Sequence, residues 1–504
     1  MRVPLCKAAK QLLILIFWLL GCGAGFGQTH CGLSDDGSTI VRPSNYSSFT
    51  PPALGKGYTE EFGGSNACQI FRVTDGASIG QSDVVHNYST ASPFNSDDSL
   101  LMVFDLSGAP FIVRRTGGSA VVAVAKMPSS TNYVNLWSSS NPAAFYYGNS
   151  TALKKGVITG TNCDSAHNWS GAPCTITSTT LCTTPTGNLQ FNEQDVSEDG
   201  LHVWIADQYQ DQNTTTHLYL MTLNATDPTS CTVSATATLP NGYHKLVVLP
   251  NNMVFKNAGT GDPAGDQIFN TDGTVFLNTF TAGGHVDFGR DLNGKVVGIA
   301  HWYQPPYAPS GTGVGQNPCI NGYGAAVLML QPGDPNFNKV VHCFSAVSGA
   351  QIGAGQVTDN HWSFRDTTGG WVIMETSATS RSCSPSDPSC FAWTGNAPTA
   401  CAGTSAMSCW DHLQDEVLAI KIDFSQVLRL AHHRARVNGG GSGYWSQPRP
   451  SISRDGKYIA FDSNYDISTG SATEGTLNVF VIPFDLGPTA LVPTAPTNLT
   501  ANIQ

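Results

Sequence analysis

Five ionisable side chains occupy one repeated position in this sequence. Each stands three residues before an apolar residue of a β-forming stretch, and these apolar residues, called anchors below, are Val196, Val248, Phe288, Phe364 and Ile452. The ionisable residues themselves are Glu193, Lys245, His285, His361 and Arg449. Brought together by the repeats, they would form a polar ring of cations, imidazoles and a carboxylate, whose donors suit a bound carboxylate or sulfate.

A second row follows two residues later, at Asp195, Val247, Asp287, Ser363 and Ser451. Alternate residues of a β-strand point to the same face, so both rows are expected on one face. Aromatic and basic residues, including Trp362, Arg434 and Trp445, are expected near the same position. Stacking surfaces beside cationic donors are what a carbohydrate or acidic-sugar site needs. We therefore assign ligand binding to Glu193, Asp195, Asp287, Trp362, Arg434 and Trp445.

The element behind this repeat is a β-hairpin, and its best copy spans residues 446–464. Polar and apolar residues alternate up to the dipeptide Asp455-Gly456, and β-forming residues follow it. An Asp-Gly pair between two such runs is the turn chemistry of a tight hairpin. The chain is therefore predicted to repeat one hairpin unit.

Two further anchors, Phe94 and Trp137, bring the number of copies to seven. Successive anchors are 43, 59, 52, 40, 76 and 88 residues apart. A four-stranded propeller blade takes about 40 to 50 residues, so the short spacings fit directly. The long spacings contain inserts rich in Gly, Pro and Ser, at residues 304–321 and 379–409.

The sequence thus predicts an all-β fold, a seven-bladed β-propeller over residues 67–487. The lone strand over residues 69–73 has no partner nearby, so we expect it to pair into the last blade. Such pairing closes the ring and removes exposed sheet edges. Residues 28–66 are expected to form a coil, and residues 488–504 a linker or the start of a fibronectin type III-like domain.

The best copy, Pro448-Arg-Pro-Ser-Ile-Ser-Arg-Asp-Gly-Lys-Tyr-Ile-Ala-Phe461, resembles the repeats of TolB-like (WD-like) propellers of bacterial exported proteins. The resemblance covers residues 67–485 and is strongest in the last blade. The tail Pro493-Thr-Ala-Pro-Thr-Asn-Leu-Thr-Ala501 looks like the first strand of a fibronectin type III domain. These resemblances imply a fold and hardly constrain the function.

A weaker resemblance leads to oligogalacturonate lyases, propellers of similar repeat type that hold a divalent metal at the channel mouth. Extended to this sequence, it implies His285, His361 and Gln447 as metal ligands. Uronate elimination would also need a base to remove the α-proton, for which Lys245 or a histidine is possible. The uronate carboxylate would be neutralised by the metal, by Arg449 or by Arg434. No compact metal motif such as His-Glu-x-x-His is present, and the repeat spacing departs from the lyase pattern.

Three interpretations of the polar ring remain open from the residues alone. In the first, the side chains bond one another and channel water and only fix the blades, as Glu193 and Lys245 would by pairing. In the second, the channel mouth binds a glycan, a peptide or a cell-wall component. In the third, the mouth carries a metal-assisted uronate lyase with one divalent ion. We predict a secreted or cell-surface propeller that binds or scaffolds, with the lyase as the alternative.

The N-terminus predicts export. Basic residues precede an apolar run over residues 12–20 that is too short to span a bilayer, so residues 1–27 are predicted to be a signal peptide. The sequence Leu19-Leu20-Gly21-Cys22 also fits a lipobox, which makes a lipoprotein anchored through Cys22 the alternative. No other segment qualifies as transmembrane.

Cysteine content and charge restrict the compartment and the partners. Two of the 14 cysteines lie in the signal segment, and an even remainder in an exported chain predicts disulfides. The spacing suggests the local pairs Cys383–Cys390 and Cys401–Cys409 without fixing the connectivity. A net charge of −11 makes nucleic acid a poor partner, so the expected partner is a glycan or a protein.

Overall fold

The computed structural model describes residues 30–37, 39, 41, 49–76, 83–105, 110–115, 123–126, 136–159, 174–187, 189–190, 195–208, 214–258, 264–280, 285–302, 324–343, 361–364, 369–376, 413, 415–435, 447–465 and 477–485. Over these residues the chain forms 29 strands and one short 3-10 helix, Gly64–Asn66. Within the same ranges, no helix has the length and apolar character needed to cross a membrane. The predicted signal segment, the two long inserts and the C-terminal tail lie outside the described residues.

Seven antiparallel sheets are arranged in a ring, one for each predicted anchor, so the chain is a seven-bladed β-propeller. Strands are numbered in chain order. Blade one comprises β4 Val84–Val85, β5 Leu100–Asp105, β6 Pro110–Arg114 and β7 Ala123–Lys126. Blade two comprises β8 Leu136–Trp137, β9 Ala144–Asn149, β10 Ala152–Thr159 and β11 Thr175–Thr183. Blade three comprises β12 His202–Ala206, β13 Thr216–Leu223 and β14 Cys231–Leu239.

Blades four and five have four strands each, and blades six and seven have five. The strands are β15 Lys245–Val248, β16 Val254–Asn257, β17 Asp266–Phe269 and β18 Val275–Phe280; β19 Val286–Arg290, β20 Val296–Trp302, β21 Gly324–Met329 and β22 Val340–Cys343; β23 Trp362–Ser363, β24 Trp371–Glu375, β25 Glu416–Lys421, β26 Val427–His432 and β1 Leu33–Ser34; and β27 Ser451–Ile452, β28 Tyr458–Ser463, β29 Asn478–Pro483, β3 Gln69–Arg72 and β2 Gly57–Thr59.

The predicted closure of the ring is confirmed. Strand β3 pairs antiparallel with β29 of the last blade, with Phe71 opposite Val481. The region expected to be coil contributes two more strands, because β2 pairs with β3 and β1 pairs with β26 of blade six. Both are two or three residues long, so local alternation could not reveal them. The N-terminal segment is therefore a strap across the outer edges of blades six and seven.

The hairpin turns explain why the repeat was visible in the sequence. In blade seven, Ser453 Oγ donates to Asp455 Oδ1 at 2.9 Å and Gly456 has a φ of 76°. In blade three, Ser197 Oγ donates to Asp199 at 2.6 Å and the following glycine has a φ of 69°. A left-handed backbone favours glycine because it has no Cβ, so the same three residue types recur at equivalent turns.

The hydrophobic core lies between neighbouring blades. One cluster joins Val297 of blade five to Trp362 and Ile420 of blade six. Another joins Val103 of blade one to Val479 of blade seven, so the packing continues across the point of closure. Six of the seven anchor side chains are buried in these layers and Val248 is half-buried, which fixes the innermost strands around the axis of the ring.

Two disulfides are present among the described residues. Cys31–Cys68 lies within the N-terminal strap, and Cys182–Cys231 joins the outermost strands of blades two and three. They indicate an oxidising compartment, as an extracellular or periplasmic location would provide. The suggested pairs Cys383–Cys390 and Cys401–Cys409 lie outside the described residues.

Candidate functional site

The repeated ionisable position converges at one mouth of the channel. Lys245 begins β15, and His285, His361 and Arg449 stand one or two residues before the innermost strands of blades five, six and seven. These four residues are called the channel cluster below. The rings of His285 and His361 are stacked, with centroids 4.4 Å apart. The charges of Arg449 and Lys245 both act on His361, so four separate blades contribute to one site. Glu193 lies outside the described residues.

A segment of blade one also contacts the cluster, and the repeat pattern did not predict this contact. The Tyr88 ring lies 5.0 Å from the ring of His361 and 6.4 Å from that of His285. Lys245 Nζ stands 4.7 Å from the centre of the same tyrosine ring. Tyr88 therefore places an aromatic surface over side chains from three blades on the other side of the channel.

His361 combines complete burial with an open nitrogen. Its Nδ1 lies 2.5 Å from Glu375 Oε1, a carboxylate on the neighbouring strand β24. Its Nε2 has no hydrogen-bond partner in the described part of the chain. Burial, assisted by the charges of Arg449, Lys245 and His86, holds the pKa of His361 well below its ordinary value. The imidazole is therefore neutral, donates from Nδ1 and offers Nε2 as an acceptor.

Arg449 is held by a buried network with blade seven. Its Nη2 lies 3.3 Å from Asp462 Oδ2, and its Nε donates to the carbonyl oxygen of Gln447 at 3.3 Å. His86 Nδ1 lies 2.8 Å from Asp462 Oδ1, and its Nε2 lies 2.7 Å from the Arg449 carbonyl oxygen. The Gln447 side chain is also buried, and its Oε1 has no partner among the described residues.

The second row of residues holds the blades together. Asp287 Oδ2 accepts a hydrogen bond of 2.6 Å from the backbone N–H of Phe364, the anchor of the next blade. Ser363 Oγ accepts one of 3.0 Å from the N–H of Ile452. Asp195 accepts one of 2.8 Å from Arg454, which reaches it from blade seven. The contacts of Asp195 and Asp287 are thus inter-blade contacts within the protein.

Other residues assigned to ligand binding lie away from the channel cluster. The Trp362 side chain is buried in the core between blades five and six, which leaves no stacking surface for a ligand. Arg434 is also buried, with its guanidinium carbon 4.1 Å from the centre of the Phe49 ring. Trp445 lies outside the described residues.

Arg434 belongs to a second buried polar group, beneath the N-terminal strap. Burial raises the pKa of Glu60, but the hydrogen bond and charge of His432 and the charge of Arg434 bring it below its ordinary value. His433 donates from Nε2 to the Thr376 carbonyl oxygen at 3.0 Å and accepts from the Ala435 N–H at 3.0 Å. These contacts fix the strap to blade six.

Acidification is expected to destabilise the fold through His433. Burial lowers its pKa to about 3, despite the hydrogen bond to Thr376. His433 therefore binds a proton more readily in the unfolded chain than in the folded one. Its contribution to the unfolding free energy is complete above the ordinary histidine pKa and is lost as the pH falls below that value. Between pH 7 and pH 4 this site should lose roughly 3 kcal/mol of unfolding free energy. Urea unfolding of wild type and His433→Gln at both pH values tests this: the variant should lose less on acidification, and equal losses would contradict it.

The channel cluster does not fit the divalent metal implied by the lyase resemblance. The planes of His285 and His361 are inclined by only 24° and stacked, so their in-plane lone pairs cannot meet at one ion. Three cationic groups also surround His361, which disfavours a second positive charge there. Among the described residues, no three His, Cys, Asp or Glu side chains are grouped to hold a metal. The set His285, His361 and Gln447 therefore carries no metal-dependent step here.

A second opening lies at the other end of the channel. It is a cavity of about 280 Å³ with an apolar floor that includes Phe288, Phe364 and Leu249. Its rim carries the Asp195–Arg454 ion pair and Glu198, which is paired with Arg290. The charged groups of this rim are thus paired with one another within the protein.

No protein-family model matches this chain, and no curated protein matches it. Among solved structures, an oligogalacturonate lyase from Vibrio parahaemolyticus is similar over 85% of this chain and 96% of its own, with 11% identity and a TM-score of 0.47. The WD40 repeats of RRP9 are similar over 85% of this chain and 100% of their own, with 10% identity and a TM-score of 0.41. Both neighbours are propellers.

Likenesses this distant do not identify a ligand or a reaction. The TolB-like assignment and the fibronectin-like tail stay predictions, and the tail lies outside the described residues. What can be said of function rests on the geometry of the channel cluster.

Proposed function

We propose that this protein is an exported β-propeller that binds an acidic carbohydrate at the channel cluster. Lys245 and Arg449 supply buried cations for a carboxylate, and buried charged donors make the stronger hydrogen bonds. His361 Nε2 is an acceptor, and it suits a hydroxyl group that donates. A uronate is a ligand that carries both a carboxylate and hydroxyl groups.

One observation favours binding over a purely structural cluster. His361 is fully buried, yet its Nε2 has no partner in the parts of the chain that are described. Leaving a buried polar atom unsatisfied costs about 1–3 kcal/mol, so a cluster that served only to fix the blades should have satisfied it. A ligand hydroxyl group would supply the missing hydrogen bond.

The proposal is tested by replacing Lys245 with methionine, which keeps the length of the side chain and removes its charge. Trigalacturonate should bind the wild type in a calorimetric titration, and Lys245→Met should weaken it roughly 10- to 100-fold, the equivalent of one charged hydrogen bond. Lys295→Met is the matched control, because Lys295 forms an ion pair with Asp334 on the exposed surface. Equal affinities for wild type and Lys245→Met, or no titration with the wild type, would refute the proposal.

Export is part of the same proposal. The predicted signal segment supports it, and so does the oxidising environment indicated by Cys31–Cys68 and Cys182–Cys231. Expression with the native N-terminus should deliver a processed protein outside the cytoplasm. N-terminal sequencing of that product would separate cleavage near residue 27 from lipid attachment at Cys22.

A further inference from the structure

The innermost strand of blade one contains an insertion that the other blades lack in the described residues. Val85 pairs with Phe104 of β5, and Phe94 next pairs with Leu101. The inner chain thus advances nine residues while β5 advances three. Residues 86–92 have no counterpart on β5 and form a loop, which a hydrogen bond of 3.1 Å from the Ala91 N–H to the Tyr88 carbonyl oxygen tightens.

This loop, called segment 86–92 below, contacts the cluster from blade one. Tyr88 touches residues of blades four, five and six. The Ser451 hydroxyl of blade seven donates to the Ala91 carbonyl oxygen at 3.4 Å. Lys245, His361 and Arg449 are buried, with exposed fractions of 1%, 0% and 0%, and Tyr88 is buried with them. A ligand of the size of a sugar therefore reaches these side chains only if the structure around them moves.

We propose that segment 86–92 is a displaceable plug that closes the acidic-ligand site and must move for the ligand to enter. This inference rests on the proposed function of the channel cluster. The plug is a loop between two strand pairs rather than part of a ladder, so it can leave without breaking the blade-one sheet. The polar atoms near it are not saturated: Ser92 Oγ, like His361 Nε2, has no partner in the described part of the chain.

The latch of the plug is His86. Its backbone N–H donates to Asp462 Oδ1 at 3.0 Å, and its Nδ1 lies 2.8 Å from the same oxygen. Its Nε2 lies 2.7 Å from the Arg449 carbonyl oxygen. Removing the imidazole removes both ring contacts, while Asp462 keeps its contact with Arg449. The open form then becomes more populated. Apparent affinity and association rate both rise with that population, because only the open form can bind.

Stopped-flow association of trigalacturonate with His86→Ala tests the plug. We expect the association rate to rise at least about 10-fold over wild type, the equivalent of losing roughly 1.4 kcal/mol of latch energy. His217→Ala is the matched control, because His217 uses its N–H and Nδ1 on Asp207 in the same way on blade three, outside the channel. It should leave the rate unchanged. An unchanged rate in His86→Ala, with binding otherwise intact, would overturn the plug and leave the proposed function standing.

Hydrogen exchange of the wild type tests the plug without any variant. The amides of His86 and Ala91 should exchange faster than those of β28, and saturating trigalacturonate should accelerate them further because it holds the plug open. Galactotriose, the neutral counterpart, should have no effect. If trigalacturonate fails to bind at all, the proposed function fails, but fast exchange in the free protein would still support the plug. Exchange as slow as in β28, with and without ligand, would overturn it.

Discussion

Replacing Glu416 by glutamine should destabilise this propeller by about 3–5 kcal/mol, the loss measured when one partner of a buried ion pair is removed. Glu416 and Arg429 are both fully buried on neighbouring strands of blade six, and Arg429 Nε donates to Glu416 Oε2 at 2.8 Å. The neutral amide leaves the buried guanidinium charge without its hydrogen-bonded carboxylate, and the contact of Nη1 with the Thr39 carbonyl oxygen does not replace it. Urea unfolding at pH 7 measures the loss.

The chain contains its own control for this experiment. Arg290 and Glu198 form a similarly forked pair, but about a third of each side chain is exposed. Water and salt screen such a pair, so Glu198→Gln should change the unfolding free energy by less than about 1 kcal/mol. Equal losses of unfolding free energy in Glu416→Gln and Glu198→Gln would show that burial does not make the Glu416–Arg429 pair more important for stability than an exposed pair.

Removing the disulfide of the N-terminal strap is the second large effect that we expect. The double variant Cys31→Ser with Cys68→Ser should lose about 2–5 kcal/mol of unfolding free energy, because the unfolded chain regains the freedom of a closed loop. The loop spans 37 residues. The two cysteines flank the segment that carries β1 and β2, and Cys68 stands one residue before β3, the strand that closes the ring.

The second disulfide is the control that distinguishes a general loss of stability from a specific effect on the closure of the ring. Cys182–Cys231 spans 49 residues and joins outer strands of blades two and three. The double variant Cys182→Ser with Cys231→Ser should lose a similar unfolding free energy but leave the last blade intact. Hydrogen exchange should therefore rise in β3 and β29 only when Cys31 and Cys68 are replaced. Unchanged exchange there would contradict the role given to the strap.

The fold was predictable because its signals are local. The Ser-x-Asp-Gly turn of blade seven recurs in blade three, and glycine stands where the backbone needs a positive φ. In both blades the anchor stands one residue before the turn motif, and the number of anchors equals the number of blades. Strand β1 was missed because its two residues are recognisable only through their pairing with β26, nearly 400 residues later in the chain.

The site was only partly predictable from the same repeats. Equal offsets from the anchors bring Lys245, His285, His361 and Arg449 together, because equivalent positions of a ring face one axis. The same alternation argues against Trp362 as a ligand contact, since it stands between two residues of the channel-facing rows and so points into the core.

Residues outside the repeat could not be placed by it. Tyr88 and His86 belong to an insertion in the innermost strand of blade one. Among the described residues, the insertion is recognised only because more residues separate Val85 from Phe94 than separate their partners on β5. Glu375 ends an otherwise apolar strand, Trp-Val-Ile-Met-Glu, and a single acid in such a position is a sign of a buried partner. Arg434 is buried against Phe49 of the N-terminal strap, and no local sequence pattern predicts where the strap lies.

A crystal structure of the protein with bound trigalacturonate would test directly whether the channel cluster binds an acidic carbohydrate. We expect a carboxylate within hydrogen-bond distance of Lys245 and Arg449, a sugar hydroxyl group on His361 Nε2, and segment 86–92 moved from its closed position. A trisaccharide bound on the outer surface, or in the cavity beside Arg454, with the channel cluster still closed, would contradict it.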